Sequence, residues 1–346
     1  MYLKKDTYHY CHAWLMVSVM LALFCLPVKA QQLPVYSQYM MNRFLINPAR
    51  AGAYGYTTVE VNAREQWLGF RGSPKTHSVA FQTRLLKQSY MSGGTTVRRR
   101  YAAKKRSGRV AVGGYVFNDR AGLLNYNGAQ LSYAYHIRMQ QQQLSFGLST
   151  SLIQMNIDKD KIILFPGEES DPLLGTSQLV SYAPDATFGV YYVFPGFYVG
   201  LSASQLTQSS LLFGNVNYQN FRLLRTYHLM SGYMFELDRY FAVEPSFLYK
   251  TNEKLRNQLD ISARAFYMKD YWVGMSYRTG GRAVEGAKNA GAFIIMAGVG
   301  IDIVQIGYAF DYSFNSMQRY TYGSHELNIA VNFGSSAQRY RWIKRF

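Results

Sequence analysis

Downstream of residue 56 the chain alternates apolar and polar residues with period two, in segments of about ten residues, the length of a tilted strand crossing a bilayer. Over 129 to 139, Ala129, Leu131, Tyr133, Tyr135, Ile137 and Met139 share one face, while Gln130, Ser132, His136 and Arg138 share the other. Over 258 to 267, Leu259, Ile261, Ala263, Ala265 and Tyr267 oppose Gln258, Asp260, Ser262 and Arg264. Near the end, Leu327, Ile329, Val331 and Phe333 oppose Glu326, Asn328 and Asn332. One face suits lipid and the other water.

Fourteen strands follow from this pattern: 57–68, 75–86, 109–118, 126–139, 143–157, 184–194, 197–206, 225–237, 240–250, 258–268, 271–279, 291–300, 302–313 and 325–334. A soluble sandwich also alternates, so connection lengths decide. The even-numbered connections are tight, at 140–142, 195–196, 238–239, 269–270 and 301. Most odd ones are long, at 119–125, 158–183, 207–224, 251–257, 280–290 and 314–324. Tight periplasmic turns alternating with longer surface loops characterise an outer-membrane β-barrel, and an even strand number closes it without an exposed edge. The expectation is an all-β transmembrane antiparallel barrel of about fourteen strands.

One even connection, 87–108, breaks the parity and is strongly basic, carrying Lys87, Arg98, Arg99, Arg100, Lys104, Lys105 and Arg106. It reads either as a solvated loop or as a docking element for a periplasmic partner or the cell wall. The tail after Phe333 adds Arg339, Arg341, Lys344 and Arg345 on the same side.

The first thirty residues change the picture again. Lys4 and Lys5, an apolar stretch from Ala13 to Pro27 and the close Val28-Lys29-Ala30 have the layout of a cleaved signal peptide. The division expected is therefore a signal peptide at 1–30, an irregular periplasmic or lumenal segment at 31–56, a barrel at 57–334 and a basic tail at 335–346. Both cysteines, Cys11 and Cys25, fall in the leader, which removes disulfides and thiolate metal sites from the mature chain. Thirty Tyr, 21 Phe and 29 Gly suit strands and aromatic girdles. The formal charge of +17 falls to about +15 after processing, which for an exported chain points to anionic headgroups, peptidoglycan or an acidic partner rather than nucleic acid.

No catalytic grouping stands out. His77, His136, His228 and His325 sit on separate strands or ends without metal-ligand spacing. His228 and Ser231 are three apart on a strand, and His77 and Ser78 adjacent, so each pair points to opposite faces. There is no phosphate-cradling glycine loop and no nucleophile elbow. Neither an enzyme nor a cofactor is expected. Glu60, Arg64, Arg138, Glu244, Lys250, Asp260, Arg264 and Asp311 face the lumen, where they either pair across it or line a channel.

The most specific stretch precedes and opens the barrel. It comprises Tyr36-Ser37-Gln38-Tyr39-Met40, then Ile46-Asn47-Pro48-Ala49 with Ala51-Gly52, then Arg64-Glu65-Gln66-Trp67-Leu68-Gly69-Phe70 with Gly72, Pro74 and Thr76. In order and spacing this resembles the PorP/SprF family of type IX secretion membrane proteins of gliding and protein-secreting Bacteroidetes. Asn118-Asp119 with Gly122, and the run Ser132 to His136, are similar too; the basic insert at 87–108 departs from the family. The resemblance implies a non-enzymatic outer-membrane barrel that helps export or surface-attach particular cargo. Its implied partners are the type IX translocon, a periplasmic lipoprotein or peptidoglycan-binding anchor, and cargo with a carboxy-terminal sorting domain. A passive porin or small-solute transporter is the rival. Trp67 and Phe70 read more simply as interface anchors for the first surface hairpin, which Gln66, Gly72 and Pro74 shape.

Overall fold

The computed structural model describes residues 36–85, 108–139, 141–158, 180–210, 222–253, 257–268, 270–280 and 291–333. The strands are β1 (Thr57–Glu65), β2 (Lys75–Arg84), β3 (Val110–Ala121), β4 (Leu124–Met139), β5 (Gln142–Ile157), β6 (Val180–Phe194), β7 (Phe197–Ser204) and β8 (Thr226–Tyr233). They continue as β9 (Phe235–Glu236), β10 (Phe241–Asn252), β11 (Gln258–Tyr267), β12 (Tyr271–Arg278), β13 (Ala292–Ile301), β14 (Val304–Ser313) and β15 (Ser324–Phe333). Each pairs antiparallel with its chain neighbours. β9 continues β8 past a break at Met234, and both lie against β10, so fifteen strands make fourteen staves. The pairing of β1 with β15, Thr57 opposite Phe333 through Glu65 opposite His325, closes the cylinder. No edge is left for the bilayer to solvate.

Alternation fixes which side of each strand faces in. In β1, Thr58, Glu60, Asn62 and Arg64 are buried while Val61 faces out; in β4, Leu131, Tyr133, Ile137 and Met139 face out and Ser132, Ala134 and His136 in. An apolar outside and polar inside reverse the arrangement of a soluble domain, as lipid requires.

The structure corrects one loop. Residues 119–125 are not a long connection: β3 and β4 run on until only Gly122 and Leu123 separate them, with Gly122 at φ +60°. Asn125, which the sequence pattern places in the connection, remains in the ladder opposite Arg120. The other short turns shift by a residue or two, to 140–141, 237–240, 268–270 and 302–303, while 195–196 stands. Long and short connections still segregate to opposite ends, apart from 85–109 at the short-turn end and the two-residue turn Gly122-Leu123 at the other. The cluster Arg98, Arg99, Arg100, Lys104, Lys105 and Arg106 lies outside the described residues, as do the leader and the basic tail.

The segment from residue 36 to 56 runs inside the cylinder. It starts beside β14 and β15 near the long-loop end and descends to β2, β4 and β5 at the short-turn end, with two single 3-10 turns at Arg43–Leu45 and Pro48–Arg50. Tyr39, Met40, Phe44, Ala49, Ala51 and Tyr54 are buried there, and most of them pack into the apolar clusters that wall residues such as Tyr191, Tyr198, Met230, Ile294 and Met296 supply.

Candidate functional site: a lumenal plug clamped to the barrel wall

At the upper clamp, Glu326 on β15 accepts the backbone N–H of Ser37 at 2.6 Å and of Gln38 at 3.1 Å. The same carboxylate accepts Asn62 Nδ2 at 3.0 Å and pairs with Arg64 Nη1 at 3.1 Å. Arg64 reaches Asp311 on β14 at 2.8 Å, Asp311 also accepts the Ser37 hydroxyl, and Arg64 donates to that hydroxyl oxygen. Each buried carboxylate thus has a cation and several donors, the condition under which buried charge is tolerated. Arg278 extends the cluster. It binds both oxygens of Asp260 and donates to the Tyr36 carbonyl at 2.9 Å.

In the middle, Glu244 on β10 is shared by Arg43 of the plug and Arg264 of β11, and the Arg43 guanidinium lies 3.9 Å from the centre of the Tyr198 ring. The Tyr39 hydroxyl meets Ser246 Oγ at 3.2 Å and donates to Ser262 Oγ at 3.3 Å.

At the lower clamp, Asn47 caps the second 3-10 turn through the Ala49 N–H and donates to the carbonyls of Val190 on β6 and Leu201 on β7, both at 3.0 Å. The Ile46 carbonyl accepts Ser202 Oγ at 2.8 Å. His136 Nε2 lies 3.0 Å from the Ala51 carbonyl, which can only accept, so the ring carries its proton there and Nδ1 faces Ser145. Gly52 N–H donates to Gln82, while Arg84 and Gln143 both donate to the Ala53 carbonyl. The wall makes room by omitting side chains. A Cβ on Gly147 would land on the Ala49 backbone, one on Gly189 on the Asn47 side chain, and one on Gly307 on Gln38.

The sequence signature therefore separates into two places. Tyr36, Ser37, Gln38, Tyr39, Met40, Asn47, Pro48, Ala49 and Gly52 are plug; Gln66, Trp67, Gly69, Phe70, Gly72 and Pro74 form the first hairpin. Arg64 and Thr76, opposite one another in register, stand on its lumenal side, and Arg64 joins the two groups through Ser37. The hairpin is tied to both neighbours: Leu68 exchanges backbone bonds with Gly323 and Tyr322, Trp67 N–H donates to Ser324, and Gly122 N–H to the Gly72 carbonyl. Trp67 adopts φ +52° there, and Phe70 is exposed. Glu326, Arg43, Arg84 and Gln143 escape sequence reading as plug contacts. Glu326 and Gln143 stand on the polar face of their strands, but nothing in one strand's pattern says what that face meets.

Of the lumenal charges, Arg64, Glu244, Asp260, Arg264 and Asp311 are paired. Glu60 accepts Asn328 Nδ2, and Lys250 lines a cavity of about 160 Å³ above the plug together with His228, Asp185 and the rings of Tyr115, Phe117 and Tyr126. Among the described residues, no three His, Cys, Asp or Glu side chains gather as metal ligands. His77 and Ser78 face opposite sides of the wall.

The family model for the type IX secretion system membrane protein PorP/SprF matches residues 28–331. The chain belongs to the PorP/SprF family. It is thus a membrane component of the type IX secretion system and resides in the outer membrane, and the plug and first hairpin are where the residues that suggested the family come together. No curated protein sequence matches this PorP/SprF chain. Solved structures similar to it include the Acinetobacter baumannii outer membrane protein Omp33, at 9% identity and a TM-score of 0.45 over 81% of this chain and 98% of that one. The Ralstonia pickettii toluene transporter TbuX has 11% identity and a TM-score of 0.46 over 84% of this chain and 91% of that one.

Proposed function

We propose that this protein is a plugged, non-enzymatic barrel that assists export or surface attachment of specific cargo through the type IX translocon, with its long-loop end outward. The observation that carries the reading is the lumen itself. A porin needs a water-filled passage lined by solvated charge, whereas here residues 36–56 cross the passage and the charges hold them. What remains for function is surface: the loops above and the short-turn end below. Residues 1–30 act as the export signal. Cargo carries a carboxy-terminal sorting domain, and a periplasmic lipoprotein or peptidoglycan-binding anchor engages the basic stretch from Arg98 to Arg106.

The test compares secreted and surface proteomes with and without the gene, together with small-solute uptake. Loss of a small set of large exported proteins with normal uptake is expected, and affinity purification in mild detergent should recover translocon or lipoprotein. An unchanged proteome with impaired uptake would favour the porin.

A further inference from the structure

The outer wall of β1–β6 changes character in tiers. Val79, Val116, Ala129 and Leu152 form one apolar row in register. Two residues nearer the long-loop end the row becomes His77, Asn118, Asn127, Gln154 and Tyr182. Its amides bond to one another across strands: Asn118 Nδ2 donates to Asn127 at 2.7 Å, Asn127 to Gln154 at 3.4 Å, and Gln154 to the Tyr182 hydroxyl at 3.2 Å. The next tier is Glu65, Lys75, Arg120, Asn125 and Asn156.

The amide row marks the edge of the hydrocarbon. On β5 the outward residues from Leu144 to Leu152 span about 20 Å along the barrel axis at 3.3 Å per residue and a tilt near 40°, most of an outer-membrane apolar band. Gln142 and Gln154 bound it.

Above that edge, Lys75 and Arg120 face each other in register, both exposed, an arrangement that is unfavourable unless an anion lies between them. Glu65 pairs with Lys75 at 2.7 Å. Among the described residues Arg120 makes no ion pair. We propose that Lys75 and Arg120, with the amide row beneath them, bind a phosphate and the adjoining sugar of lipid A in the outer leaflet. The cations meet the phosphate, the amides and the Tyr182 hydroxyl meet sugar hydroxyls, and the acyl chains lie along Val79, Val116, Ala129 and Leu152. The long-loop end must face outward for this lipid to be at hand, which rests on the orientation given above; binding by purified protein does not depend on it.

The experiment titrates the full-length processed protein in detergent with diphosphorylated lipid A and counts bound lipid by native mass spectrometry. Dephosphorylated lipid A and phosphatidylglycerol serve as comparison probes. K75Q/R120Q should weaken lipid A binding about tenfold, the loss expected when two exposed charges are removed together. R319Q, a charge change in the loop at the same end, should leave it unchanged. Shared heat-modifiable gel migration checks that each variant is folded. The proposal is overturned by undiminished binding to K75Q/R120Q, by an equal loss in R319Q, or by equal wild-type binding of phosphatidylglycerol or of the dephosphorylated lipid.

Discussion

Glu326 concentrates the plug's upper attachment in one side chain. Two backbone N–H groups, an amide and a guanidinium converge on its two oxygens, all away from water. Glu326→Ala leaves Arg64 with Asp311 alone and strands three donors, so about 3–5 kcal/mol of stability should be lost. The measurement is the urea midpoint for loss of the folded band on unheated gels, and an unchanged midpoint would mean that these contacts contribute nothing. The glycines carry the converse effect. Gly147→Val and Gly189→Val place atoms where the plug backbone and Asn47 lie, which should displace the plug rather than the closed wall. Single-channel conductance in planar bilayers should rise in both variants. Ala129→Val, a larger side chain on the lipid face, should leave it at the wild-type level.

As an element, the plug is held at separated places, and that predicts how it fails. Cutting the upper and middle contacts with Arg43→Gln, Arg64→Gln and Glu326→Gln leaves Asn47, Ala51 and Ala53 bonded below; cutting the lower clamp with Asn47→Ala, Gln82→Ala, Arg84→Gln, His136→Ala and Gln143→Ala leaves Ser37 and Gln38 bonded above. Each should give little conductance. The combined variant should give far more than the sum, because either clamp suffices to keep the segment in the lumen. Additive conductance would mean that the two ends move independently. The strands were legible because period two is a property of a single strand, visible at Leu131 to Met139 without a partner. Their ends were not. Asn125 reads as loop because a polar outward residue looks like solvent chemistry, whereas in register it accepts from Asn118, which also bonds Asn127. The plug's position was illegible for another reason: Ser37 and Glu326 meet across 289 residues of chain, and only closure of the barrel brings them together.

For the whole molecule the decisive asymmetry is between its two ends. Connections at the short-turn end are two to a few residues long except for 85–109, and the basic residues Arg98, Arg99, Arg100, Lys104, Lys105 and Arg106 all fall within that exception. Outer-membrane barrels place their short turns in the periplasm. Tags inserted at 158–183 or 207–224 should therefore label on intact cells, while tags at 87–108 should label only after the outer membrane is permeabilised; the opposite pattern would invert the molecule. Given that orientation, the strand ends that flank this stretch, Arg84 of β2 and Val110 of β3, face the periplasm. Each exposed charge contributes about 1 kcal/mol or less, so one substitution should be nearly silent and neutralising all six should not. A contact of this kind weakens as the Debye length shrinks from about 10 Å at 0.1 M salt to about 3 Å at 1 M. Co-purification of periplasmic partners with the barrel should accordingly fall with salt in the wild type and be low at every salt concentration once the six charges are neutralised. Salt-independent capture that survives neutralisation would assign the docking to another part of the short-turn end.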